Sequence, residues 1–315
     1  MKYNKLGKSD LNISELTMGT TAASLENPDD ISDKEFRGAI EQALESGVNL
    51  FDTAEAYGEG RSETVLGDAL RGVREKVYIA SKVSKKNLKK AAVKNACENS
   101  LRRLGTDYID LYFIHIPVAE VPVEETMEAM LELKQEGKIK AIGVSNFSRL
   151  QMEQALKVGR IDALQPCYNL LWRGLERELV PLCLREEIGI IPYSPLVQGL
   201  LSGKYGPDLV IDELDDRKRI LLFQKEWFGK CLTVVDGLTP VADKYGKTKA
   251  QLAINWVRSQ RGVASVIIGG RNAGQVLENT GATGWELSKE DLEYLDRISR
   301  TVTDYLPDRT SFWFK

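Results

Sequence analysis

A carboxylate, a phenol, an ammonium and an imidazole stand at Asp52, Tyr57, Lys82 and His115. His115 is the only histidine in 315 residues. That excludes H-E-x-x-H, zinc sites built on two or three histidines, and a two-histidine facial triad. A free tyrosine, with a pKa of about 10, is a poor proton donor at neutral pH. An adjacent Lys82 ammonium would stabilise its phenolate, and Asp52 would keep that ammonium charged and in place. His115 could hydrogen-bond a carbonyl oxygen and orient it toward Tyr57. Such an array is a proton source and oxyanion site for carbonyl reduction. The hydride must come from a cofactor, because no side chain supplies one. Each residue alone has a plainer role: Asp52 as a helix cap, Lys82 as a solvated strand end, Tyr57 as a packed loop aromatic, His115 as a structural histidine. Converging on one mouth, the four read as functional.

A repeated unit would bring them together. Seven times an amphipathic segment ends at glycine, at Gly47, Gly72, Gly105, Gly137, Gly159, Gly189 and Gly262, and a short apolar run follows. Glycine there suits the left-handed residue that closes a helix. The runs include 48–51, 77–80, 109–114, 141–144, 163–165, 190–193 and 266–268, and 15–18 makes an eighth. Helix signals fill the intervals. Ser148 can cap a helix reaching Val158, Ser288 and Asp291 suit a capping box, and 88–104 carries one buried stripe. Alternating strand and helix implies a parallel sheet, and eight units match a closed (β/α)8 TIM barrel, one α/β domain over 1–315. Residues 3–13 predict an N-terminal β-hairpin plugging the barrel bottom. The glycine spacing is mostly 22 to 33 residues but 73 from Gly189 to Gly262, so a long insertion follows strand seven. Its later part, 224–245, reads as helical. A loop of that length on the catalytic face is usually functional; a surface excursion is the alternative.

Active sites of such barrels lie at the C-terminal strand ends. Asp52 ends strand two, Lys82 strand three, His115 strand four, Ser145-Asn146 strand five and Gln165 strand six, with Tyr57 on the loop over the mouth. After strand eight, Gly269-Gly270-Arg271-Asn272 precedes a helix start, which makes an anion site from backbone N–H groups, helix dipole and guanidinium. Arg271 argues for the 2′-phosphate of NADP(H); a surface arginine beside a turn is the alternative. Other nucleotide signatures are missing. Gly58-Glu59-Gly60 continues as Arg61-Ser62-Glu63, so G-x-G-x-x-G fails, and there is no Walker A.

The charge balance, 43 basic against 46 acidic residues and a net charge of −3, gives no bulk attraction for nucleic acid or anionic lipid. No apolar stretch approaches a membrane span, and no signal peptide is visible. Four scattered cysteines without C-x-x-C read as reduced thiols and a cytoplasmic location.

From about residue 3 to 298 the chain resembles the aldo-keto reductases. The resemblance is carried by Phe51-Asp52-Thr53-Ala54-Glu55-Ala56-Tyr57-Gly58, Ser62-Glu63 through Leu66-Gly67, Ser81-Lys82, and Ser100-Leu101-Arg102-Arg103-Leu104. It continues through Asp107-Tyr108-Ile109-Asp110-Leu111 to His115, Gly143-Val144-Ser145-Asn146-Phe147 and Gln165-Pro166-Cys167-Tyr168-Asn169. Leu170-Leu171 through Tyr193-Ser194-Pro195-Leu196 and Gly199-Leu200-Leu201-Ser202-Gly203-Lys204-Tyr205 look most like the branch of bacterial general-stress reductases and potassium-channel beta subunits. The resemblance makes Tyr57 the acid/base, Lys82 and Asp52 its tuning pair, and His115 the carbonyl orienter. It implies NADPH/NADP+ contacts from Ser145, Asn146 and Gln165 to the carboxamide, with Tyr193 stacked on the nicotinamide. Ser194, Pro195, Leu196, Gly199 and Lys204 would meet the pyrophosphate. Gly269, Arg271, Asn272, Gln275, Glu278 and Asn279 would hold the adenosine end. Gly19 and Thr20 complete the expected set. Two departures reshape the pocket: Ile116-Pro117 stands where Trp-Pro often follows the histidine, and Thr21-Ala22-Ala23 where a tryptophan often follows Gly-Thr.

The expectation is an NADPH-dependent reductase of aldehydes or ketones, with a small-molecule carbonyl substrate and no nucleic-acid or membrane partner. The oligomeric state stays open. A cofactor-sensing regulatory subunit and an NAD-dependent sugar or polyol dehydrogenase are the rivals.

Overall fold

Strand periodicity decides which side chains fill the centre of this fold. The computed structural model describes residues 1–24, 32–213, 215–307 and 309–312. A two-stranded antiparallel hairpin, β1 (Tyr3–Lys5) and β2 (Asn12–Ser14), precedes eight parallel strands. These are β3 (Leu16–Gly19), β4 (Leu50–Asp52), β5 (Tyr78–Val83), β6 (Ile109–Ile114), β7 (Ile139–Ser145), β8 (Ala163–Gln165), β9 (Gly189–Ile190) and β10 (Val266–Ile268). Their order is β10-β3-β4-β5-β6-β7-β8-β9. A parallel bridge from Ile190 to Val263 closes the ring, with Ala264 N donating to Ile190 O at 2.8 Å and Ile267 N to Pro192 O at 2.9 Å. The TIM barrel, its hairpin and the insertion after the seventh barrel strand are therefore all present.

Successive strand residues face opposite sides. One face of each strand meets the helices in a large apolar layer, and the other fills a separate inner cluster. That cluster includes Leu50, Ala80, Leu111, Phe113, Ala141, Ala163, Ile191 and Ile267, and Leu6, Leu11 and Ile13 of the hairpin plug it. Continuing in steps of two leads from Leu50 to Asp52, Ala80 to Lys82, Phe113 to His115, Ala141 to Ser145, Ala163 to Gln165 and Ile191 to Tyr193. The expected site residues are thus the uppermost inward positions of six consecutive strands.

The helices between strands include α1 (Asp33–Glu45), α2 (Arg61–Ala69), α3 (Lys90–Leu104), α4 (Val123–Gln135), α5 (Arg149–Val158) and α6 (Leu179–Glu186). Ser148 caps α5 in a full capping box with Gln151. The insertion supplies α7 (Lys225–Gly237) and α8 (Thr239–Tyr245), within the span read as helical, before the crossover helix α9 (Lys249–Arg258). The fold ends with α10 (Ala273–Thr280) and α11 (Lys289–Thr303). Ser288 accepts from Asp291 N at the start of α11.

Two of the seven helix-closing glycines differ from expectation. Gly159 is extended (φ −172), and Gly189 is the first residue of β9 while Glu187 takes the left-handed position (φ 53). Gly189 is needed for space: a Cβ there would sit 2.4 Å from Leu6 Cδ1 of the plug. The tail returns to the barrel, where Phe312 is buried edge-on to Trp172 at 5.9 Å and its carbonyl accepts from Leu221 N at 3.0 Å. Trp313 and Phe314 lie outside the described residues. No helix among the described residues is long and apolar enough to cross a membrane.

Candidate active site

Lys82 has no exposed surface, so its charge needs partners inside the barrel. Its Nζ donates to Asp52 Oδ1 at 2.5 Å, Thr53 O at 2.7 Å and Tyr57 Oη at 3.4 Å. Those three contacts use all three ammonium hydrogens. Burial alone would lower the Lys82 pKa; the charges of Asp52 and Tyr57 and the bonds to them outweigh it and hold the amine above its usual range. Asp52 Oδ2 accepts from Gln165 Nε2 at 2.8 Å, so the carboxylate is fixed through both oxygens.

Tyr57 and His115 meet edge to face, with ring centroids 5.7 Å apart. The imidazole is pushed down to about 3, first by burial and then by the Lys82 charge. It is therefore neutral at physiological pH, with both a donor and an acceptor nitrogen. A neutral imidazole can donate to an oxygen acceptor, and with so low a pKa its free nitrogen is a weak base toward the Tyr57 proton.

The next strand ends build an amide-rich wall. Asn146 is left-handed (φ 60), and its Nδ2 donates to His115 O at 3.0 Å. The Tyr193 hydroxyl donates to Asn146 Oδ1 at 2.7 Å, and Ser145 Oγ to Gln165 O at 2.9 Å. Thr20, beyond Gly19, donates its hydroxyl to Asp52 O at 2.9 Å.

Two expected groups lie apart from this centre. The turn holding Ser194, Pro195, Leu196 and Gly199 has left-handed Ser194 (φ 55), Val197 (φ 50), Gln198 (φ 51) and Gly199 (φ 87). For a buried β-branched valine that conformation is strained, and strain of this kind gathers at ligand clamps. Lys204 is exposed, and its stem runs beside Gly199. After β10, Asn272 caps α10, Gln275 Oε1 accepts from Arg271 N at 2.8 Å, and Asn279 Nδ2 donates to Gly269 O at 2.8 Å. Arg271, Gln275 and Glu278 are exposed, and a Cβ at Gly269 would meet nothing within 4 Å. That open backbone, the helix start and the guanidinium fit an anionic group. Since β10 adjoins β3 and β3 adjoins β4, these residues lie two strands round from Asp52.

The profile of the Aldo/keto reductase family matches residues 15–300. The chain belongs to the aldo/keto reductase family. "Aldo-keto reductase YhdN" of Bacillus subtilis (strain 168) is 36% identical over 96% of both chains. "NADH-specific methylglyoxal reductase" of Escherichia coli (strain K12) is 34% identical over 96% of this chain and 99% of that one. Among solved structures, an aldo-keto reductase from Klebsiella pneumoniae in complex with NADPH superposes with a TM-score of 0.78 at 31% identity, covering 100% of this chain and 99% of that one. In this aldo/keto reductase the sequence reading left out four contributors to the site. They are the Thr53 carbonyl on Lys82, the left-handed Val197 and Gln198, and the pairing of buried Glu63 with half-buried Arg103 beside Ser81. A pair 40 residues apart leaves no local pattern, and valine is not a left-handed signal.

Proposed function

We propose that this aldo/keto reductase reduces aldehydes or ketones to alcohols with NADPH, Tyr57 delivering the proton. The observation that carries the reading is the buried Lys82 ammonium held between Asp52 and the Tyr57 hydroxyl. Negative charge that develops on the Tyr57 oxygen as its proton leaves would face that ammonium. His115, neutral and beside the phenol, would hold the substrate oxygen. Ser145, Asn146 and Gln165 would hold the carboxamide, Tyr193 would cover the ring face, and 194–199 with Lys204 would meet the pyrophosphate. When bound, the cofactor supplies the hydride. The same residues serve alcohol oxidation in reverse.

Steady-state NADPH oxidation with a panel of aldehydes and ketones tests this. Tyr57→Phe is expected to lose about 10²- to 10⁴-fold in kcat, the range of a general acid, while retaining NADPH binding. Undiminished turnover would reject the role.

NADPH over NADH rests on Arg271, exposed at the start of α10; one relative is NADH-specific by name. Arg271→Ala is expected to weaken NADPH about tenfold or more, as loss of a charge-assisted phosphate contact does, and NADH much less. Equal losses would remove the 2′-phosphate from the reading. Residues 1–315 would act as one domain. Four buried, unbridged cysteines (Cys97, Cys167, Cys183 and Cys231) suit the reducing cytoplasm.

A further inference from the structure

The stretch 58–63 fails as a dinucleotide loop, and the structure shows what it builds instead. Gly58, Glu59 and Gly60 are all left-handed, with φ of 57, 52 and 93. They turn the chain between Tyr57 and the first residue of α2. Such a run persists only where its surroundings over-determine it. Arg103 of α3 lies flat against it: a Cβ on Gly60 would come within 2.5 Å of Arg103 Cδ and Nε. Arg103 Nε donates to Glu63 Oε2 at 2.6 Å, and its Nη2 to Ser100 Oγ at 3.3 Å. Glu63 is wholly buried, and Oε1, its other carboxylate oxygen, accepts from Ser81 Oγ at 2.5 Å. Ser81 immediately precedes Lys82. A buried carboxylate with no part in proton transfer thus joins the segment that presents Tyr57 to the strand that presents Lys82.

We propose that Glu63 and Arg103 are positioning residues that set the distance between the Tyr57 hydroxyl and the Lys82 ammonium. The inference rests on the reading of Tyr57 as proton donor. Lys82 is fixed by Asp52 and Thr53, whereas Tyr57 rides on a strained turn against which Arg103 packs. Their contact, 3.4 Å, is at the long end of hydrogen bonding, so a small outward shift of the turn breaks it. The guanidinium suits the task because it covers the glycine backbone with a plane while its edge meets the carboxylate; lysine offers only a point charge.

The test compares wild type, Arg103→Lys, and the double variant Glu63→Gln/Arg103→Met, which leaves no carboxylate buried alone. NADPH binding is titrated by fluorescence, and kcat and KM are measured with one aldehyde. The double variant should lose about 10- to 100-fold in kcat, the cost of a small misplacement. Its NADPH affinity should stay within about twofold, the signature of an interaction made only in the transition state. Arg103→Lys should fall between wild type and the double variant. An unchanged kcat would overturn the proposal. So would equal losses of kcat and NADPH affinity, which mark general loosening. Should the double variant not fold, Arg103→Lys decides on the same criteria. Tyr57→Phe separates the two levels: full turnover there sinks the proton-donor reading, whereas an inactive Tyr57→Phe beside an unchanged kcat in the double variant sinks only this proposal.

Discussion

His115 shows how one buried residue links the proposed chemistry to the acid stability of the whole chain. Burial first, and the Lys82 charge second, lower its pKa from 6.5 to about 3. Between those values the unfolded chain binds a proton that the folded chain refuses, so stability falls as pH drops through that window. His115→Gln should therefore flatten the loss of Tm between pH 6.5 and 4, read by scanning calorimetry across buffers; an unchanged slope would mean that the imidazole titrates normally. Lys82 has the opposite sign. Its raised pKa keeps its contribution intact below 10.5 and loses it only in stronger base. At this scale the placement of the candidate residues was largely legible, because Asp52, Lys82 and His115 sit at strand ends that the glycine repeat marks. Less legible was what holds them. Glu63 and Arg103 are far apart in sequence, and they meet only because α2 packs on α3. The strained Val197 carries a residue type that argues against its own conformation.

Among the elements, that α2–α3 contact depends on one missing side chain. A Cβ on Gly67 would stand 2.4 Å from the Leu104 carbonyl oxygen, a backbone atom with little freedom to yield. Gly67→Ala should cost about 1–3 kcal/mol, the usual range for overpacking. Gly229, inside α7 with nothing within 4 Å of its Cβ position, is the control; alanine there should stabilise by about 0.5–1 kcal/mol through helix propensity. Urea denaturation of both variants checks the pair, and a neutral Gly67→Ala would show that the helices separate freely. Helix identity was readable from capping serines and apolar stripes, as at Ser148. Helix ends were less so. Gly159 and Gly189 follow helices as expected, yet one is extended and the other is small because the plug needs room, a long-range demand no local pattern records.

At the scale of the molecule, the barrel was legible from its eightfold repeat, and the inward parity of the strands carried the site with it. Its closure was not, because the ring is finished where the repeat is weakest. β6 and β7 share five paired positions, whereas β9 has two residues and the ring closes on the Ile190–Val263 bridge and the backbone hydrogen bonds of Ile190 N to Gly262 O, Ala264 N to Ile190 O and Ile267 N to Pro192 O. Such uneven pairing predicts that the ring opens first at its most thinly paired join. Amide hydrogen exchange should find Ile190 and Ala264 trading deuterium well before Leu111 and Ile142, and equal protection would contradict this. Tyr193 stands just above that join, so the side chain proposed to cover the nicotinamide face has its footing on the stretch of wall with the fewest cross-ties.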